Sequence, residues 1–132
     1  MILDSSAIFA VLFEEAGNEQ VVDAMRTADV LAIGAPTLLE AGIVAVRAFD
    51  LHGKALISQF LERWSVVVTP FDGRHWQVAS DAFVRFGKGR HPARLNLGDC
   101  MTYATAHVAE LPLLFVGDDF AKTDLVPALS SR

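Results

Sequence analysis

The sequence predicts a three-layer α/β/α domain with a mostly parallel central sheet. Short, continuous hydrophobic runs alternate along the chain with longer segments of helical periodicity. The clearest run, 66–69, is rich in β-branched residues and uninterrupted by polar ones, as expected for a strand buried on both faces. Strands that alternate with helices favour a parallel sheet with helices on both of its faces.

Polar residues and prolines mark the elements of the first half of the chain. The run 1–3 is predicted to be a strand, and Ser5 or Ser6 then caps the first helix. Asn18 can cap the second helix, and Pro36 opens the third, since proline is tolerated in a first helical turn. The predicted elements are strands 1–3, 30–33 and 66–69, and helices 7–15, 18–28, 38–51 and 54–64.

The second half has two helices separated by an irregular stretch. Asp72 is predicted to begin a helix that ends near Phe86. The stretch 87–92 follows, and then a helix over 97–109 and a last strand over 113–116.

Length and composition place the chain among globular proteins. The 132 residues are 52% hydrophobic and 20% charged, which is enough to build one domain, 1–132, around its own core. A single cysteine, Cys100, excludes an intrachain disulfide and indicates a reducing compartment, so we expect a cytoplasmic protein. From the acidic start, Met1-Ile2-Leu3-Asp4, we expect no signal peptide, and no apolar run reaches the roughly 18 residues that a membrane span requires.

The net charge of −5 bears on the class of nucleic-acid protein. It argues against a passive binder held by bulk positive charge. A nuclease remains compatible with it, because a site that concentrates carboxylates around a metal makes a protein more acidic.

Acidic residues from distant parts of the sequence are predicted to meet at one edge of the sheet. Asp4 directly follows the first strand, and Asp118 and Asp119 follow the last. Glu40 and Asp99 lie in the first turns of two predicted helices. Sites in open parallel sheets lie outside the carboxyl ends of the strands, where these acids would come together.

Each acid alone also has a purely structural interpretation. Glu40 fits a capping box with Thr37, and Asp99 holds the equivalent position after Asn96. Asp4 could cap the first helix, and the aspartate doublet could be an ordinary turn. Their joint placement at one edge favours a site.

Clustered carboxylates repel one another unless a cation compensates them. Their hard oxygen ligands favour Mg²⁺ or Mn²⁺, and the chain offers no Cys/His set of the kind that binds zinc. Such a metal can activate a water and offset charge on a phosphate, so the pattern indicates metal-assisted phosphodiester hydrolysis.

Three segments, 1–8, 87–100 and 117–124, resemble PIN domains and together look like the VapC toxins of type II toxin–antitoxin systems. The first contains Asp-Ser-Ser-Ala, the second Asn-Leu-Gly-Asp-Cys and the third Gly-Asp-Asp-Phe. The resemblance spans nearly the whole chain. It implies a Mg²⁺- or Mn²⁺-dependent endoribonuclease, usually a homodimer, silenced by a cognate antitoxin whose tail enters the acidic groove.

By motif position, Asp4, Glu40 and Asp99 correspond to the acids of the family, with Asp4 and Asp99 as direct metal ligands. The fourth acid is Asp118 or Asp119, and Asp124 lies close behind. We favour Asp119 because it directly precedes Phe120 in the motif. The implied catalytic set is Asp4, Glu40, Asp99, Asp118 and Asp119, and the implied metal ligands are Asp4, Asp99, Glu40 and Asp119.

A basic stretch, 85–94, precedes the helix that carries Asp99 and could guide RNA phosphates to it. A solvated loop is the alternative interpretation. The hydroxyls of Ser5 and Ser6 could cap a helix or contact a metal-bound water. The predicted substrate-binding residues are therefore Ser5, Ser6, Lys88, Arg90 and His91.

Two other functions compete with the nuclease. A phosphatase could use Asp4 as its nucleophile, but that chemistry generally needs a second aspartate two residues on, where this chain has Ser6. A non-catalytic receiver-like or interaction domain would carry its acceptor aspartate after a middle strand, where this chain has Thr69-Pro70.

Overall fold

A computed structural model describes residues 1–129 and contains a parallel sheet of four strands in the order β3-β2-β1-β4. Residues 130–132, which the predicted domain includes, lie outside the described part. The strands are β1 Ile2–Leu3, β2 Ala32–Gly34, β3 Val67–Thr69 and β4 Leu113–Leu114. The helices are α1 Ser5–Leu12, α2 Asn18–Thr27, α3 Ala35–Phe49, α4 Leu51–Arg63, α5 Gly73–Phe86 and α6 Leu97–Ala109.

Successive strand residues point to opposite faces and so divide the core into two parts. Leu3, Ile33 and Leu114 pack into a cluster with buried residues of α1 to α4. Their neighbours Ile2 and Leu113 pack on the other face with residues of α5 and α6. The predicted three-layer α/β/α arrangement is therefore confirmed.

The prediction that the strand at 66–69 is buried on both faces is wrong. Val67 and Val68 are 53% and 43% exposed, because β3 is the outermost strand and pairs only with β2 among the described residues. A continuous β-branched run indicates a strand, but it does not give the strand's place in the sheet. At the other edge, the segment after Val126 pairs with Leu113 of β4.

The first two helices begin differently from the prediction. Helix α1 begins at Ser5, and the residue that caps it is Asp4, whose carboxylate accepts a hydrogen bond from the Ser6 amide at 3.1 Å. Helix α2 has Gly17 at its N-cap, so Asn18 does not cap it and donates instead to the Glu15 carbonyl at 2.7 Å.

The first turns of α3 and α6 show whether Glu40 and Asp99 belong to capping boxes. Helix α3 begins at Ala35 with no side-chain cap, so the predicted capping box of Thr37 and Glu40 is wrong and Glu40 lies in the second turn. The box of Asn96 and Asp99 at the start of α6 is formed, with reciprocal hydrogen bonds of 2.8 and 3.1 Å. Within residues 1–129, no helix has both the length and the hydrophobicity to cross a membrane.

Candidate active site

Four acids from four separate segments converge on one edge of the sheet. Asp4 directly follows β1, Glu40 lies on α3, Asp99 begins α6, and Asp119 comes after β4. Burial raises the pKa of Asp99 to about 6, and the charges of Asp4, Asp119 and Glu40 act in the same direction against a hydrogen bond from the Asn96 amide. The negative charges of these three acids therefore act on Asp99.

Asp4 is 7% exposed, and its carboxylate is held by three donors. Its Oδ2 accepts from the amide and the hydroxyl of Ser6, at 3.1 and 2.5 Å, and its Oδ1 accepts from Thr102 Oγ1 at 3.2 Å. The Ser6 hydroxyl also accepts the Val116 amide at 3.0 Å, which ties the segment after β4 to the start of α1. Asp4 is therefore fixed in orientation, and the single proton of the Ser6 hydroxyl is committed to it.

Glu40 reaches the beginning of α6 because residue 98 is a glycine. Its Oε1 accepts from the Ser5 hydroxyl at 3.3 Å. Its Oε2 lies so close to Gly98 that a Cβ atom at that position would overlap it. Gly98 therefore makes room for a second carboxylate beside Asp99.

Between Asp119 and Asp124 as the fourth acid, the structure favours Asp119; Asp118 is exposed. Its charge is close enough to raise the pKa of Asp99. Asp124 is engaged elsewhere and accepts from Tyr103 at 2.6 Å and from Arg85 at 3.2 Å. Partial burial would raise the pKa of Asp124, but the Tyr103 hydrogen bond and the Arg85 charge outweigh it and lower that pKa.

The basic stretch forms a closed loop that leads to α6. Gly87 bridges to Leu95 at its base, so the loop is anchored at both ends. Lys88 and Arg90 are exposed, and the Arg90 Nε atom donates to the Val84 carbonyl at 3.2 Å. The His91 Nδ1 atom accepts the Ala93 amide at 3.0 Å, which directs that ring atom into the loop.

The donor chemistry of the four acids fits a hard divalent cation. Every candidate ligand atom is a carboxylate oxygen, and serine and threonine hydroxyls lie beside them. Mg²⁺ and Mn²⁺ prefer oxygen ligands of this kind. In the conformation described for residues 1–129, no three Asp, Glu, His or Cys side chains converge closely enough to hold a metal ion. The fit is therefore one of ligand type, charge and common location.

Three residues of this site are not predicted from the sequence: Thr37, Gly98 and Thr102. The sequence pattern places Thr37 in a helix cap and does not single out Thr102. Gly98 could have been noticed as a glycine inside the first turn of a helix, where it lowers helix propensity without an evident local reason.

Comparisons with known proteins identify similar chains. The family model described as the PIN domain matches residues 1–126. Ribonuclease VapC28 of Mycobacterium tuberculosis is 39% identical over 133 residues, covering 100% of both chains. The solved structure of the M. tuberculosis toxin VapC20, described as cleaving the sarcin-ricin loop, superposes with a TM-score of 0.76 at 15% identity, covering 95% of each chain. A toxin–antitoxin complex from Klebsiella pneumoniae contains a chain with a TM-score of 0.72 at 18% identity, covering 98% of each.

Proposed function

This chain belongs to the PIN-domain family and, within it, to the VapC ribonucleases, and we propose that it is a Mg²⁺- or Mn²⁺-dependent endoribonuclease that acts in the cytoplasm as a toxin with a cognate antitoxin. The observation that carries the metal-dependent chemistry is the charge cluster around Asp99, whose pKa lies at about 6. Placing mutually repelling carboxylates together has a cost in stability, which a bound cation would offset.

The residues have separable roles in this proposal. When bound, the metal would lower the pKa of a water and offset negative charge on the phosphate. Asp4 and Asp99 would be its direct ligands, with Glu40 and Asp119 completing the acidic set. The hydrogen bonds from Ser6 and Thr102 hold Asp4 in one orientation, and the Asn96 amide holds one oxygen of Asp99.

A histidine-based mechanism has no support in the geometry. His75 bonds to Asp72, His91 accepts the Ala93 amide, and His107 stacks on Tyr103. In the part of the chain that the structure describes, no histidine is hydrogen-bonded to any of the four acids. This arrangement favours hydrolysis by an activated water over acid–base catalysis by imidazole.

We propose that the basic loop binds the RNA backbone. Lys88 and Arg90 are exposed, and within residues 1–129 neither forms an ion pair, so both can meet phosphates. The loop ends beside Asn96, which caps the helix that begins with the catalytic Asp99. Arg85 is not assigned to phosphate binding, because it forms an ion pair with Asp124.

Exposed apolar surfaces support the proposed protein partners, an antitoxin and a second copy of the chain. A groove of about 540 Å³ between α5 and α6 includes Trp76 and Leu97, which are 65% and 76% exposed. A second groove of about 620 Å³ between α3 and α4 includes Leu39 and Ile43. Exposed apolar residues that lie together commonly mark interfaces between proteins. Co-purification with the product of a neighbouring gene, and loss of RNase activity in that complex, would test the antitoxin proposal.

The proposed activity can be tested on the purified protein with a mixed RNA substrate. We expect cleavage with Mg²⁺ or Mn²⁺, none in EDTA, and none by Asp99→Asn. Asp72→Asn is the matched control, because Asp72 belongs to a capping box at the start of α5 that lies outside the acid cluster. Full activity of Asp99→Asn, or loss of activity in Asp72→Asn at unchanged stability, would contradict the assignment.

A further inference from the structure

Two buried threonines form a hydrogen-bonded chain that ends on Asp4. Thr37 on α3 and Thr102 on α6 are 3% and 1% exposed. Their hydroxyl oxygens lie 2.8 Å apart, and the Thr102 hydroxyl lies 3.2 Å from Asp4 Oδ1. Hydroxyls buried to this degree depend on buried hydrogen-bond partners.

The direction of this chain follows from the number of protons available. An ionised carboxylate only accepts, so Thr102 donates its single proton to Asp4. Thr102 has no second proton for Thr37, and therefore Thr37 is the donor between the two threonines. Both hydroxyl dipoles thus point toward Asp4, and such aligned hydrogen bonds strengthen one another in a buried setting.

The two threonines lie on the helices that carry Glu40 and Asp99, and their hydrogen bonds lead to Asp4. Thr102 lies three residues after Asp99 on α6, and Thr37 lies three residues before Glu40 on α3. Residues three apart share a helix face, so each threonine lies one turn from a catalytic acid. The chain from Thr37 through Thr102 to Asp4 therefore links α3, α6 and the end of β1 directly beside the acids.

The two oxygens of Asp4 are also not equivalent. Oδ2 is held by Ser6, which belongs to the same local turn, whereas the donor to Oδ1 is Thr102, 98 residues away. Ser6 restrains the carboxylate only relative to its own turn. Thr102 adds a donor to the other oxygen and sets Asp4 relative to the helix that begins with Asp99.

We infer that Thr102, supported by Thr37, is a positioning residue that orients Asp4 for metal binding. The inference deepens the proposed nuclease function and rests on it. Residues that hydrogen-bond a metal ligand typically change metal affinity or activity by about 10- to 100-fold when they are lost. Thr102→Val removes the hydroxyl and keeps the shape of the side chain, so it isolates this contribution.

The test measures Mn²⁺ affinity by titration calorimetry and kcat/KM for RNA cleavage in a set of variants. Thr102→Val should weaken Mn²⁺ binding and lower kcat/KM by about tenfold or more, and Thr102→Ser should restore both. Thr37→Val should give a smaller loss of both quantities, because its effect reaches Asp4 through Thr102. Should Thr102→Val fail to fold, Thr37→Val carries the test.

Thr105→Val is the matched control. Thr105 lies on the same helix, is 2% exposed, and donates to the Met101 carbonyl of its own helix at 3.0 Å. A purely structural role would lower the melting temperatures of Thr102→Val and Thr105→Val alike and leave Mn²⁺ affinity unchanged in both.

The outcomes separate the two levels of the proposal. An active wild type whose Mn²⁺ affinity and kcat/KM are unchanged in Thr102→Val overturns the positioning role and leaves the nuclease standing. A Thr102→Ser variant as defective as Thr102→Val overturns it as well, since the hydroxyl would then not be the cause. A wild type that neither binds Mn²⁺ nor cleaves RNA overturns the proposed function and this inference together.

Discussion

Replacing Asp99 with asparagine should stabilise the metal-free protein near neutral pH while it abolishes RNA cleavage. Asparagine keeps an oxygen that can accept the Asn96 amide and removes the negative charge. The pKa of Asp99 is raised from an ordinary value of 3.8 to about 6 by burial and by the charges of Asp4, Asp119 and Glu40. The charged form of Asp99 is therefore less stable in the folded protein than in the unfolded chain.

The sign and size of the effect follow from that pKa. Between about pH 4 and pH 6 the folded state binds the proton more tightly than the unfolded state, so stability falls as pH rises through this window. Without solvent screening, the difference between the folded and unfolded pKa values of Asp99 corresponds to about 3 kcal/mol of stability. Because the side chain is only partly buried, solvent screening reduces the expected gain to about 1–2 kcal/mol. For a domain of this size that is a rise in Tm of roughly 3–6 °C.

The assay is thermal unfolding in EDTA across a pH series. The two proteins should have the same Tm below about pH 3, where Asp99 is largely protonated in both states, and should separate as pH rises to 7. Asp72→Asn is the control with the opposite sign, because a hydrogen bond from the His75 side chain lowers the pKa of Asp72. A Tm of Asp99→Asn equal to or below that of the wild type at neutral pH would refute the reasoning, as would a difference that persists at low pH.

Three further predictions follow from the same geometry. Glu40→Gln should lose RNase activity at unchanged Tm, because Glu40 caps no helix; a Tm fall equivalent to about 1 kcal/mol, typical of a lost cap, would contradict this. Gly98→Ala should fold with equal or greater stability, since alanine favours a helix by up to about 1 kcal/mol, but it should displace the Glu40 carboxylate and lower kcat. A kcat equal to that of the wild type would show that Gly98 does not set the position of this carboxylate. Ca²⁺ should support cleavage poorly beside Mg²⁺ or Mn²⁺, because it takes more ligands at longer distances, and equal rates with Ca²⁺ measured in parallel would count against a compact acidic site.

Helix positions and strand character could be read from local sequence because they depend on local periodicity. The helix over 97–109 has the same bounds in the structure, and α5 begins after Asp72 as expected. The ends of other elements shifted by a few residues, as with α3, which begins at Ala35 rather than Leu38. Such shifts occur because caps compete locally, and a glycine preceding a helix can replace a side-chain cap.

The function of the acids depended on contacts that the sequence does not contain. Capping boxes were equally plausible at Thr37–Glu40 and at Asn96–Asp99, and only the second is formed. Thr37 instead meets Thr102 across 65 residues of sequence. The partner of a polar side chain is decided by which helices pack together, and a local pattern cannot choose between a cap and a distant hydroxyl.

The sequence by itself determined the α/β class, the resemblance to the family and the four segments that supply the acids, because strand and helix periods and short motifs are local properties. Only the tertiary structure decided that β3 is an exposed edge, that Asp119 rather than Asp124 acts on Asp99, and that Gly98 makes room for Glu40. The physical reason is common to all three. Burial, charge repulsion and steric fit depend on distances between residues far apart in the chain, and those distances exist only once the layers have packed.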